Sequence, residues 1–70
     1  MKHIINCINN QTTDYFIIKE KVGHSYRNIS RYKNNIFNRL FLIFKKFNNS
    51  KKLYIVPEFK GVEGMYYKIN

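Results

Sequence analysis

The sequence has no acidic residue between Lys21 and Pro57, although this stretch carries nine of the thirteen lysines and arginines. The four acidic residues lie outside it, at Asp14, Glu20, Glu58 and Glu63. Charges of one sign repel one another in water, so the missing acids favour a negatively charged partner. Nucleic acid is the leading candidate, and the stretch does not indicate which nucleic acid.

Alanine and tryptophan are absent, whereas Asn, Lys and Ile occur ten times each. Those three residues have A/T-rich codons, as do Tyr and Phe, so an AT-rich genome explains part of the lysine excess. It does not explain the missing acids, because Asp and Glu codons can also be A/T-rich. The composition fits a phage, a mobile element, an organelle, or an AT-rich bacterium or parasite.

The chain has one cysteine, one proline and three glycines in 70 residues. The single cysteine excludes an internal disulfide, and the apolar neighbours of Cys7 predict a small buried hydrophobe in a reducing compartment. A chain of this length buries only about 60% of its unfolded surface, so its stability is marginal. We expect one small basic domain that spans residues 1–70.

Long apolar runs are also missing. The longest one, Leu40 to Phe44, has five residues, far fewer than the ~20 that a membrane-spanning helix needs. The N-terminus lacks the apolar segment and the cleavage site of a secretory signal. The sequence therefore predicts a protein of the cytoplasm or an organelle matrix that is neither secreted nor membrane-spanning.

Few residues are placed for catalysis or metal binding. His3 and His24 are far apart and have no further ligands beside them, so we expect no metal and no cofactor. A ribonuclease-like acid–base set of Glu20, His24, Tyr26 and Arg27 has only proximity in sequence in its favour. We therefore expect a protein that is not an enzyme and has no small-molecule substrate.

Strand signals occur at both ends of the chain. Lys2 to Ile8 and Tyr15 to Val22 are rich in β-branched residues and predict two strands joined by a polar loop. Leu53 to Val56 predicts a third strand that ends at Pro57, and Met65 to Ile69 predicts a fourth.

A long helix is predicted between the two strand pairs. Apolar residues recur every three or four positions from Tyr26 to Phe47, which places them on one broad helix face, and Ser25 is the predicted N-cap. The predicted fold class is α+β in the order ββαββ, with one long amphipathic helix packed on a four-stranded antiparallel sheet.

The opposite face of the predicted helix is polar and carries the main candidate site: Arg27, Arg31, Asn34, Asn38 and Lys45. Such a stripe would extend about 27 Å at ~1.5 Å per residue and would suit phosphate contacts along a nucleic-acid backbone. A solvated helix face is the alternative, and the lack of glutamate on it favours binding.

Other residues extend this candidate surface. Ser25 and Tyr26 stand at the predicted helix N-terminus, where free N–H groups attract anions. Lys51 and Lys52 precede the third strand, and together with Lys60 and Lys68 they would extend the positive charge onto the sheet edge. Tyrosines of the terminal strands, Tyr54, Tyr66 and Tyr67, offer stacking surfaces for unpaired bases, although core packing is the commoner role.

The predicted function is a non-catalytic nucleic-acid-binding protein, with RNA slightly favoured over DNA and phosphates contacted by the helix stripe. The alternative is a phage or mobile-element inhibitor, similar in role to an anti-CRISPR protein, whose basic face docks on an acidic surface of a host nuclease or defence protein. Membrane action by the amphipathic helix is less favoured, because a sheet is expected to cover its apolar stripe. The oligomeric state is left open.

Overall fold

The computed structural model describes residue 5 and residues 7–9, 12–46 and 52–69. Its elements are β1 (Tyr15–Val22), β2 (Ser25–Lys33), α1 (Ile36–Phe44), β3 (Leu53–Phe59), β4 (Val62–Glu63) and β5 (Tyr67–Lys68). The fold is α+β, with an antiparallel sheet and the helix α1. The predicted order ββαββ is not confirmed, and the predicted long helix is wrong, because α1 has nine residues.

The sheet is built around β1, which pairs with β2 on one side and with β3 on the other. The segment after β3 turns back along its outer edge, where β4 and β5 each form two pairs with β3. Between these short strands the backbone stays bonded to β3, since Gly64 N–H donates to Pro57 O at 2.7 Å. The strand order is therefore β2-β1-β3, followed by the returning segment.

β2 occupies the region predicted as the start of the helix. Gly23 has a φ of 63°, a conformation that favours glycine, and it allows a two-residue turn between the paired residues Val22 and Ser25. The buried strand β1 needs backbone partners along both edges, and β2 supplies one of them. Ser25 is thus the first residue of a strand, and its prediction as a helix N-cap is wrong.

α1 is a helix of nine residues that begins after Asn35. The side chain of Asn35 is the N-cap, because its Oδ1 accepts a hydrogen bond from Asn38 N–H at 2.8 Å. Lys45 is the C-cap, and its N–H donates to Phe41 O at 2.9 Å. The polar residues before Ile36 therefore separate β2 from a much shorter helix than the sequence predicted.

The prediction of a first strand over Lys2 to Ile8 is also wrong for those residues of the range that the structure describes. Ile5, Cys7 and Ile8 are helical, and Asn9 N–H donates to Ile5 O at 3.0 Å. A short apolar run bounded by polar residues is compatible with either a buried strand or a buried helical turn. The other residues of the predicted strand lie outside the described part of the chain.

The predicted third and fourth strands differ in their bounds from the strands of the structure. β3 continues through Pro57 to Phe59, and the predicted strand over residues 65–69 is reduced to Tyr67–Lys68. The turn after β3 uses Lys60 and Gly61, which both have positive φ, at 53° and 79°. Two such residues between the paired Phe59 and Val62 give the twist that suits a tight hairpin.

The core lies between the sheet and the helical segments. Six buried residues form one cluster: Cys7, Ile8, Phe16, Ile18, Leu42 and Ile55. Phe16 and Ile18 are alternate residues of β1, so this cluster covers one face of the sheet. The opposite face carries the candidate site described next.

Candidate functional site

The five residues of the predicted helix stripe do not share one helix face. Arg27 and Arg31 are on β2, Asn34 lies in the connection to α1, Asn38 is within α1, and Lys45 caps it. The predicted phosphate-binding stripe therefore has no counterpart in the fold, because its first half is a strand.

Arg27 and Arg31 are on opposite faces of the sheet and both form ion pairs. Arg27 pairs with Glu20 on the neighbouring strand. Arg31 reaches across β1 to β3, where its Nε and Nη2 lie 2.9 Å and 2.8 Å from Oε1 of Glu58. Both arginine side chains are more than half exposed, yet each is paired with a carboxylate of the same chain.

The side chains of Asn34 and Asn38 form hydrogen bonds around the N-terminus of α1. The Nδ2 atom of Asn34 donates to Thr13 O at 2.6 Å, and that of Asn38 donates to Lys33 O at 2.8 Å. The backbone N–H of Asn34 also donates to Asp14 O at 2.8 Å. These amides connect the start of the helix to β2 and to the loop before β1, which is a structural role.

The remaining predicted residues are dispersed. Ser25 lies in a strand, so the predicted anion site at a helix N-terminus is wrong there. Lys52 is exposed just before β3, and its backbone oxygen accepts from Lys21 N–H at 2.9 Å. Lys51 lies outside the described residues. Tyr26, Tyr54 and Tyr66 are the exceptions, because they join a group of aromatic and basic side chains, while Tyr67 packs against the core.

That group lies on the sheet face opposite the core, and we call it the tyrosine face. The strand registers place alternate residues of β1, β2 and β3 on it, with contributions from the returning segment. Its aromatic and charged members are Tyr15, Lys19, Lys21, Tyr26, Arg31, Lys33, Tyr54, Glu58, Glu63, Tyr66 and Lys68.

Three tyrosines form the centre of this face. The ring of Tyr26 lies 5.4 Å from that of Tyr54 and 4.7 Å from that of Tyr66, with interplanar angles of 85° and 73°. Tyr54 and Tyr66 are 6.4 Å apart. Edge-to-face contacts of this kind are favourable for aromatic pairs. Tyr26 remains 39% exposed, so the cluster retains accessible aromatic surface.

A buried lysine supports the cluster from one side. Lys19 Nζ lies 2.8 Å from Oε2 of Glu63, and Tyr66 Oη donates to Glu63 Oε1 at 2.7 Å. Burial lowers the pKa of Lys19, but its hydrogen bond and charge interaction with Glu63 outweigh burial and raise it. The hydrogen bonds from Lys19 and then Tyr66 lower the pKa of Glu63. The three groups therefore form one polar network.

Three further lysines on this face are available for an external anion. Lys21, Lys33 and Lys68 take part in none of the three ion pairs that the described residues form. The Nζ atom of Lys21 lies 6.0 Å from the ring centroid of Tyr26, which places positive charge beside the aromatic cluster. Lys33 and Lys68 are exposed.

Sequence reasoning missed Lys21 and Lys33 as site residues, whereas Lys68 was among the lysines expected to extend the basic surface onto the sheet edge. A signal for Lys21 existed, because Tyr15, Lys19 and Lys21 alternate with core residues along β1. Lys33 depended on recognising β2 as a strand. In the part of the chain that the structure describes, no three His, Cys, Asp or Glu residues group as metal ligands, and no described helix is long and apolar enough to cross a membrane.

Comparison of this chain with protein-family models, with curated proteins and with solved structures gave no match.

Proposed function

We propose that this protein binds single-stranded nucleic acid on the tyrosine face, with RNA favoured over DNA, and that it is not an enzyme. The observation that carries the proposal is the position of Lys21 and Lys68 beside the exposed Tyr26 cluster, with Lys33 on the same sheet face at the far end of β2. These lysines replace the helix stripe as the expected phosphate contacts.

The charge of this face suits a polyanion. Five cations, Lys19, Lys21, Arg31, Lys33 and Lys68, share it with two carboxylates, Glu58 and Glu63, so 5 − 2 gives a net charge of +3. Because each carboxylate is already paired with a cation, the excess charge belongs to the three lysines outside the ion pairs. Their positive charge attracts phosphates, as expected for sequence-independent binding.

The aromatic cluster adds a contact that a duplex cannot use. Unpaired bases stack on aromatic side chains, and each stacked base contributes about 1–3 kcal/mol. Bases inside a duplex are already stacked on one another, so an open sheet face selects single strands. The phenol groups of Tyr26 and Tyr54 can also exchange hydrogen bonds with a ribose 2′-hydroxyl, which favours RNA.

The direct test is fluorescence anisotropy with a labelled, unstructured RNA of about 12 nucleotides, a length within the usual range for one small domain. Replacing Tyr26 by Leu keeps apolar bulk but removes the stacking surface, and we expect binding to weaken about tenfold. Tyr26→Phe keeps the ring and should retain most of the affinity. Phe44→Leu, an exposed aromatic on α1, is the matched control and should bind like the unaltered protein.

Salt dependence tests the lysines separately. Converting both Lys21 and Lys68 to Gln removes two phosphate contacts, so the slope of log affinity against log salt should fall by roughly 1.4 for a single strand. The control is Lys46→Gln at the end of α1, which should leave the slope unchanged.

Equal RNA affinity for Tyr26→Leu, the double lysine variant and the unaltered protein would contradict the proposal. A host protein that stays bound in stoichiometric amount after nuclease treatment, with no RNA affinity, would instead favour the inhibitor alternative.

A further inference from the structure

Most apolar residues of α1 face away from the core, whereas Leu42 and Ile43 contact it. Leu42 is fully buried, whereas five apolar neighbours on the same helix are exposed: Ile36 by 61%, Phe37 by 79%, Leu40 by 47%, Phe41 by 48% and Phe44 by 77%. The expectation that the sheet covers the apolar stripe is therefore wrong. We call these five residues the outer stripe.

The outer stripe is continuous. Ile36, Leu40 and Phe44 follow one another at four-residue spacing, and Phe37 and Phe41 lie beside them. At ~100° per residue the five positions span roughly 140° of the helix circumference, centred almost opposite Leu42. The stripe is about 13 Å long. Scattered surface hydrophobic residues need no explanation, but a contiguous apolar patch marks an interaction site.

Among the described residues, the charged side chains within α1 and directly after it are all basic. Arg39 is within α1, and Lys45 and Lys46 follow its last residue. The Nζ atom of Lys45 lies 5.2 Å from the ring centroid of Phe41. The ion pairs of the described residues engage neither Arg39 nor Lys46.

The carboxylates of the sequence are engaged elsewhere. Glu20, Glu58 and Glu63 are in ion pairs with residues of the sheet. The remaining one, Asp14, accepts a hydrogen bond from Lys60 N–H at 3.1 Å. None of these contacts involves Arg39 or Lys46, so both cations can meet the negative charge of a partner.

We propose that α1 binds anionic lipid surfaces, with the outer stripe inserted at the level of the acyl chains and Arg39, Lys45 and Lys46 contacting the headgroup phosphates. An apolar helix face bordered by basic residues is typical of helices that lie in the plane of a membrane interface. Anionic lipid supplies both requirements, an apolar interior and a negative surface. The helix is too short to span a bilayer and binds only at its surface.

A second copy of the chain fits the outer stripe less well. With about 200 Å² for each large side chain, the stripe exposes roughly 600 Å², which is below the ~800 Å² per partner of a stable interface. Self-pairing would also bring the cations of two copies together, while the stretch from Lys21 to Pro57 contains no acid to pair with them. Charge and area therefore both favour lipid.

This proposal is independent of nucleic-acid binding, because α1 packs on the core side of the sheet and the tyrosine face is on the other side. Loss of either activity can be measured without loss of the other.

The test is co-sedimentation with vesicles of phosphatidylglycerol and phosphatidylcholine, compared with phosphatidylcholine alone. We expect binding to the anionic vesicles, little binding to the neutral ones, and a decrease with added salt. Changing both Phe37 and Phe44 to Ser should reduce the affinity for anionic vesicles at least tenfold. Changing both to Leu should retain binding, and so should Tyr26→Leu on the tyrosine face.

A spectroscopic measurement keeps the proposal testable if the serine variant folds poorly. The sequence contains no tryptophan, so Phe44→Trp introduces a single fluorophore on the outer stripe. Its emission should shift to shorter wavelength when anionic vesicles are added. The matched reporter Tyr26→Trp, on the opposite face of the sheet, should show no such shift.

Three results would overturn the proposal. The first is an unchanged Phe44→Trp emission in the presence of anionic vesicles. The second is equal vesicle binding by the serine variant and the unaltered protein. The third is a dimer in sedimentation equilibrium that the serine changes abolish, because the outer stripe would then bind a second copy.

Discussion

The guanidinium of Arg31 lies over the ring of Tyr15, with its Cζ 3.8 Å from the ring centroid. Tyr15 is on β1, Arg31 is on β2, and the ion-pair partner Glu58 is on β3. The side chain of Arg31 therefore connects β1, β2 and β3. Its contacts involve stacking, charge and hydrogen bonding, and they make Arg31 part of the sheet's own structure.

Replacing Arg31 by Gln should lower the free energy of unfolding by about 1–2 kcal/mol, since it removes the ion pair and the cation–π contact together. The loss is more than that of an ordinary surface pair because the side chain of Glu58 is only 12% exposed and is left without its cation. Urea unfolding measures the change. Lys33→Gln, two residues along the same strand, is the control and should change stability by less than about 0.5 kcal/mol. Equal effects of the two substitutions would contradict this role of Arg31.

The Lys19–Glu63 pair should make stability dependent on acid pH. The folded-state pKa of Glu63 is below its ordinary value of 4.5, so the pair stabilises the protein above that pH, and the stabilisation is lost as pH falls through the folded-state value. Glu63→Gln should therefore destabilise the protein near neutral pH, by about 0.5–1 kcal/mol, and have little effect in strong acid.

The measurement for this pair is urea unfolding of both proteins across the acid range. Tyr66→Phe is the matched control, because it removes one hydrogen bond to Glu63 and leaves the ion pair with Lys19. Its effect should vary less with pH. A destabilisation by Glu63→Gln that is the same at neutral and acid pH would show that the charge of Glu63 is not stabilising.

The orientation of α1 can be tested with two leucines on the same helix. Leu42 is fully buried and Leu40 is 47% exposed. Leu42→Ala should cost about 2–5 kcal/mol through lost burial and the cavity left behind, a large part of the stability of a domain this small. Leu40→Ala should cost less than about 1 kcal/mol. Thermal or urea unfolding distinguishes them, and the reverse ranking would mean that the helix packs through its other face.

Cys7 should be unreactive in the folded protein. The side chain is fully buried, and burial raises the pKa of its thiol to about 12. The thiolate is the reactive form, so a disulfide reagent should label Cys7 slowly under native conditions and rapidly in denaturant. The unfolded protein is the internal control. Rapid native labelling would show that the N-terminal helical residues open readily from the core.

Parts of the fold could be read from local patterns. The strand predicted over Tyr15 to Val22 is confirmed with the same bounds, because β-branched and aromatic residues are concentrated there and polar residues bound it. The predicted burial of Cys7 is also confirmed. Both features depend on residues that are close together in the sequence, so they can be predicted without knowledge of the fold.

The helix prediction failed because three- and four-residue spacing is an ambiguous signal. Ile29, Tyr32 and Ile36 match a helix face, but the first two lie in β2 and the third begins α1. Strand formation depended on a partner, β1, whose edge needed hydrogen bonds. The candidate site could not be predicted for the same reason. Tyr26 belongs to it through contacts with Tyr54 and Tyr66, which are distant in sequence.

The sequence by itself determined the charge imbalance, the lack of disulfides, the central strand and the amphipathic character of residues 36–44. Tertiary structure alone decided which cations stay outside ion pairs, which tyrosines cluster, and that the apolar stripe of α1 faces outward while Leu42 enters the core. The reason is physical: charge and local periodicity belong to the chain, whereas pairing, burial and exposure depend on which distant residues occupy the neighbouring space.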